Sequence, residues 1–339
     1  VNHKISLALA MAALLGGCTS SGTDDCTAFA TCSAGGGGGG TSGLAVIDRD
    51  NAVEILREAW FAATAAADTP AVVLATGIGD LSGGTAFLPK MALRSIVALD
   101  PITPTTYNCP VSGTFILSGD VTDINTVTTG DYFVYEASAC DSGTGYVVNG
   151  TLEVDITSIV GDVSTGMYVH GQTLTFTDFM ASTSTNDFTW VGDHSAIIDT
   201  SNSSFTSQDY GGNVLSIADQ GGNASISGFV GSMTLGNVDP FLFEFSSAGR
   251  VNTSNTPGSV DYDTEELILI PQNESPTDGI FRVTGVDSRA RISATEGEDA
   301  VLIQVDANAN DNYEVSVSTT WDEFLNGTAT IVWVENGFD

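Results

Sequence analysis

The hydrophobic rhythm of the chain changes along its length. From Asn51 to Ala67, Val53, Leu56, Trp60 and Ala63 recur at intervals of three or four among many alanines, which predicts an amphipathic helix with Asp50 as its N-cap. Pro89 opens a second predicted helix running to about Ala98, with Met91, Leu93, Ile96 and Val97 as its apolar positions. After Pro104 the period falls to two. Runs such as Thr114 to Leu117, Tyr132 to Glu136, Thr151 to Ile156, Thr173 to Phe179, Phe188 to Val191 and Phe241 to Phe245 alternate with Gly, Asn, Asp and Ser, the texture of successive strands. Asn149-Gly150, between Tyr146-Val147-Val148 and Thr151-Leu152-Glu153-Val154, predicts a hairpin turn because both residues tolerate positive φ.

No long helical pattern separates these strands, so they must pair mainly as antiparallel neighbours. The expected fold is mainly β: a large curved antiparallel sheet, or a partly open barrel, packed on one or two N-terminal helices. Two β-sandwich domains dividing near residue 235 are the alternative.

The N-terminus carries a different signal. Lys4 precedes an apolar run from Ile5 to Leu15, far short of the roughly 20 residues that span a bilayer, so the run reads as a secretory signal. It ends in Leu15-Gly16-Gly17-Cys18, a bulky apolar residue, two small ones and a cysteine. This resembles the lipobox of bacterial lipoprotein precursors. The resemblance covers only about the first twenty residues, and it implies cleavage before Cys18, a diacylglycerol thioether on that cysteine and acylation of the new N-terminus. Two or three acyl chains hold stably where one binds marginally. Thr19 is not the aspartate that marks inner-membrane retention in that family, so the resemblance implies an outer-membrane address, facing the periplasm or the exterior.

The organisation that follows is a signal peptide over 1–17, a lipidated tether over 18–43, a helical segment over 44–103 and an antiparallel β region over 104–339. The tether is mostly Ser, Thr, Gly and Ala, with six consecutive glycines, Gly35 to Gly40. Such a stretch buries too little apolar surface to order itself, and as a flexible coil it reaches ~25–30 Å.

Charge narrows the functional classes. Nine Lys and Arg face 42 Asp and Glu, a net charge of −33, and loss of Lys4 with the signal makes it −34. Nucleic acid is excluded as a partner, since phosphate binding needs clustered cations. The membrane is the expected partner, through the acyl chains on Cys18. With Cys18 acylated, Cys26, Cys32, Cys109 and Cys140 remain, an even number in an oxidising compartment. Sequence proximity favours Cys26 with Cys32 and Cys109 with Cys140 among three pairings.

Candidate chemistry is sparse. Gly77 to Gly84 follows an apolar run but departs from the dinucleotide spacing, and reads as a loop. No G-x-S-x-G elbow occurs, and of the histidines after the signal, His170 and His194, the second lies between Asp193 and Ser195, which project from the opposite face of a strand. His194 is expected at a solvent-facing turn or strand end, and no catalytic residue is assigned. Asp306, Asn308, Asn310 and Asn312 place oxygens at alternating positions like the start of a calcium loop, without the glycine at the sixth position or the bidentate glutamate at the twelfth. Weakly bound calcium is therefore the candidate cofactor, and an Asn-rich hairpin turn the alternative. Phe241, Phe243 and Phe245 share one strand face, either a core face or a groove for an apolar ligand. Arg282, Arg289 and Arg291 are expected to neutralise acids on neighbouring strands.

The expected function is that of a lipid-anchored extracytoplasmic envelope protein, non-enzymatic, with a binding or structural role. Alternatives are a hydrophobic-ligand carrier, a surface adhesin and a carboxylate-dependent hydrolase.

Overall fold

The computed structural model describes residues 43–75, 102–122, 127–143, 145–162, 166–184, 187–219, 222–236, 242–253, 258–271, 274–295 and 299–336. The signal peptide and tether, the predicted second helix and the Gly77 to Gly84 loop lie outside these residues.

Helix α1 spans Ala52–Ala75. Fifteen strands follow: β1 Ile102–Asn108, β2 Ser112–Asp120, β3 Tyr132–Asp141, β4 Val147–Asp162, β5 Met167–Ser182, β6 Asp187–Asp199, β7 Phe205–Asp219, β8 Gly222–Gly236, β9 Leu242–Thr253, β10 Ser259–Pro271, β11 Asp278–Thr284, β12 Arg289–Ala294, β13 Ala300–Asp306, β14 Val315–Thr320 and β15 Val334–Glu335. A short helix, α2 (Trp321–Asn326), lies between the last two strands. Every strand pairs antiparallel with its sequence neighbours, giving one sheet in the order β1 to β15 that does not close into a barrel. The division near residue 235 into two sandwiches is overturned. β8 and β9 pair on either side of that point, Leu235 opposite Phe243, and the sheet continues.

Alternation along the strands sorts residues to two faces. On β5, Leu174 and Phe176 are buried while Thr173 and Thr175 are half-buried on the other side. The alternation breaks where β3 and β5 carry an extra residue, Ala139 and Asp178, both at positive φ. Phe176 and Phe179, three positions apart, consequently both point inward, and with Trp190 they form a buried aromatic cluster.

Gly150 sits between these two bulges with φ 90°, and a Cβ there would lie 2.0 Å from the Asp178 carbonyl oxygen. The predicted hairpin turn at Asn149-Gly150 is thus a pinch point inside β4, where the Asn149 side chain accepts a hydrogen bond from the Ala139 N–H at 2.8 Å. Positive φ was the right reading of Gly150 but not of Asn149, and bulged strands use it as readily as turns. A further register shift on β8 extends the line. Bulges bend the strands that carry them, and aligned on neighbouring strands they crease the sheet into a trough.

α1 crosses the strands on the inner face of the sheet. Its 24 residues make about 36 Å of helix, enough to cross seven strands spaced ~4.8 Å apart, and it packs on β6 through β12. The segment before it is pinned to the sheet: Ala45 N–H donates to the Ser259 carbonyl at 2.8 Å, and Ile47 N–H to the Ser288 hydroxyl at 2.8 Å. Asp48, rather than Asp50, turns the chain into the helix, its carboxylate accepting from the backbone N–H groups of Asp50 and Asn51.

Candidate functional site

The two halves of α1 are held differently. Toward its N-terminus Ile55, Leu56 and Trp60 are buried. The Trp60 ring stands edge-on to Phe281 and Phe245, centroids 5.4 and 6.1 Å away, and lies 5.3 Å from Trp321 of α2. Over 62–70, among the described residues, the buried side chains are Ala62, Ala63, Ala66 and Ala67, which offer little apolar area, together with Thr69 and Pro70.

Polar contacts hold this second half. Pro70 lies inside the helix and has no N–H, so the Ala66 carbonyl four residues earlier loses its intrahelical donor. His194 replaces it: its Nε2–H donates to the Ala66 oxygen at 2.9 Å. The Gln208 amide donates to the Ala67 carbonyl at 3.2 Å. Because Nε2 carries the proton, Nδ1 of the neutral ring is an acceptor, and it is buried without a partner. The imidazole lies nearly parallel to the Tyr210 ring at 5.9 Å and tilted against Phe229 at the same distance. The Tyr210 ring in turn lies over Gly231, where a Cβ would come within 2.3 Å of it.

Burial sets the electrostatics of this seam. Desolvation lowers His194 to about 4 against the opposing pull of the Ala66 carbonyl and Asp193. It also lowers His170, buried on the same inner face with an unpartnered Nδ1, to about 4. The expectation that His194 faces solvent is overturned, and His170 is buried as well. Each falls on an inward position of its strand, and α1 supplies an acceptor that makes a buried His194 tolerable. Asp193 does project outward, where its carboxylate accepts from the backbone N–H groups of Asn213 and Val214 at 2.8 and 3.3 Å. On α1, desolvation raises the Asp68 carboxyl to about 8. Of these groups, His194 is the one whose hydrogen bond joins helix and sheet.

The residues singled out from sequence are dispersed. Cys109 and Cys140 form a disulfide with Cα atoms 5.4 Å apart, whereas Cys18, Cys26, Cys32 and Phe241 lie outside the described residues. Phe243 and Phe245 face inward, 6% and 1% exposed, and the space above Phe245 is occupied by Trp60.

Asp306 ends β13 fully buried. Its carboxylate accepts from the N–H groups of Asn308 (3.3 Å), Asn310 (3.1 Å) and Asp311 (2.8 Å), while the Asn310 side chain accepts from Asn312 N–H. Asn308 donates to Glu314 at 2.7 Å. The loop folds around its own carboxylates as a turn between β13 and β14. Among the described residues, no group of three or more His, Cys, Asp or Glu side chains is placed to hold a metal ion.

Arg282 pairs with Asp263 and Glu265 and Arg250 with Asp261 on adjacent strands, while Arg291 on β12 reaches past β11 to Glu265 on β10 and Arg289 pairs with Asp311 in the turn after β13. Arg291 also covers the Tyr313 ring at 4.0 Å.

The sequence reading missed the seam of Pro70, His194 and Gln208. Its legible half was Pro70, a proline in an apolar helical stretch whose orphaned carbonyl required a donor from elsewhere. Comparison with known proteins finds no matching family model, curated protein or solved structure.

Proposed function

We propose that this chain is a lipid-anchored, non-enzymatic protein of the bacterial outer membrane that presents the outer face of its sheet to the envelope or the exterior. The observation that carries this reading is the division of labour between the two faces. The inner face is largely apolar, and over β6 to β12 it packs on α1. The outer face offers rows such as Asp155–Thr173–Ser195 and Glu153–Thr175–Asp193 across β4, β5 and β6.

A sheet that itself crossed a bilayer would turn apolar side chains outward. This one turns hydroxyls and carboxylates outward, so attachment falls to an anchor such as acylated Cys18, with the glycine-rich tether as spacer. The acidic surface suits a salty or divalent-rich exterior, where screening relieves self-repulsion. Display as an adhesin or scaffold is the role such a surface fits.

Metabolic labelling of the full chain in a bacterial host with an alkyne palmitate tests the anchor. Label is expected on the wild type and lost in Cys18→Ser. A Cys18→Ser protein that keeps the label and its membrane fractionation would overturn the reading. Protease treatment of intact cells then separates outward display, seen as cleavage, from a periplasmic orientation.

A further inference from the structure

We propose that the C-terminal half of α1 is a releasable latch, docked on β6 and β7 by His194 and Gln208 and able to detach while the N-terminal half and the sheet stay folded. The asymmetry of the helix supports it. Ile55, Leu56 and Trp60 anchor one half with large buried side chains, and Trp60 alone meets three other aromatic rings. Among the described side chains of the other half, those buried over 62–70 are four alanines, Thr69 and Pro70, and two side-chain donors reach its carbonyls at 2.9 and 3.2 Å.

That half is also weakened as a helix. Pro70 removes one intrahelical hydrogen bond, and the hydroxyls of Thr64 and Thr69 turn back on the carbonyls of Trp60 and Ala65, a contact that favours bending. Regions with few buried apolar contacts open locally at lower free energy than the core does. Release would hydrate the Ala66 carbonyl and the buried His194 Nδ1, and would uncover the Tyr210 and Phe229 rings.

Hydrogen exchange on the full-length protein tests this through a double-mutant cycle. In the wild type, amides over 62–69 are expected to exchange at least about tenfold faster than those over 55–60, with β6 to β8 slower still. His194→Phe keeps the ring stack but removes the donor, and should speed exchange over 62–69 by about another tenfold, the size of one lost buried hydrogen bond, leaving the strands unchanged. Pro70→Ala returns an N–H to the Ala66 carbonyl, so adding His194→Phe in that background should have little further effect. Uniform exchange along α1, parallel loss of protection in helix and sheet, or an equal His194→Phe effect with and without Pro70 would each overturn the latch. Should His194→Phe fail to fold, Gln208→Leu is read over the same amides, and an unchanged rate there would count equally against it.

Discussion

His194 gives back the hydrogen bond that Pro70 takes away: the carbonyl of Ala66, which a residue 70 N–H would have served, accepts instead from an imidazole 128 positions further along the chain. The proline is tolerated in the helix because the sheet supplies the donor. The histidine is tolerated in the core because the helix supplies the acceptor.

This mutual dependence gives stability a pH optimum. His194 and His170 are lowered from 6.5 to about 4, so their contributions are complete above pH 6.5 and are lost as pH falls toward 4, about 3 kcal/mol each at the full extent. Asp68 is raised from 3.8 to about 8, so its contribution is complete below 3.8 and is lost as pH rises to 8. Between 4 and 6.5 the two histidines take up protons on unfolding while Asp68 releases one; above 6.5 the histidine effect is gone and Asp68 dominates, in the same sense as Asp209, whose carboxyl burial also raises. Urea midpoints should therefore peak near pH 6.5. Asp68→Asn should steepen the acid limb and flatten the alkaline one, and His194→Gln should flatten the acid limb. An acid limb unchanged by Asp68→Asn would contradict the assignment.

Gly150 tests the crease. Gly150→Ala places a Cβ 2.0 Å from a backbone oxygen at φ 90°, whereas Gly145, at φ 94°, has nothing within 4 Å. Gly145→Ala should cost about 1 kcal/mol for backbone conformation alone, and Gly150→Ala at least ~2 kcal/mol more, since the β4 and β5 backbones must separate. Equal costs by chemical denaturation would show that the close approach is not what Gly150 supplies.

The disulfide ties β3 to the segment just after β1. Cys109 and Cys140 are separated by 31 positions, and opening that loop in Cys109→Ala/Cys140→Ala should cost about 3–4 kcal/mol through unfolded-state entropy. Thermal unfolding of the oxidised protein against the double variant gives the difference directly.

Asp306 is expected to act on the turn without help from a metal. Asp306→Ala removes the acceptor of three backbone N–H groups and should destabilise the fold by about 2 kcal/mol in chelator-treated buffer. Calorimetric titration of the wild type with calcium measures the metal reading independently. A variant as stable as the wild type without calcium, with the wild type stabilised by it, would reassign Asp306 as a ligand.

Much of the architecture was legible because it depends on local periodicity. The three- and four-residue spacing of Leu56, Trp60 and Ala63 marked a helix, and the alternation of Thr173 to Phe176 marked a strand with one apolar face. The lack of helical crossovers required antiparallel neighbours. Legibility failed where alternation is interrupted: nothing local distinguishes Asn149-Gly150 in a hairpin turn from the same dipeptide between two bulges, because both demand positive φ at Gly150. The Phe243–Phe245 face was readable as apolar. That Trp60 would be its partner was not, since the pairing depends on the helix crossing the strands.

By itself, the sequence determined which residues turn inward on most strands, the antiparallel meander, the acidic exterior and the position of Pro70, all of them consequences of side-chain chemistry and period. Tertiary structure alone decided that the sheet continues unbroken past residue 235, that it creases along a line of bulges, and that His194 lies beneath the helix. Those outcomes depend on which distant backbone groups meet, and the Ala66 carbonyl could not have a partner until the sheet had brought one to it.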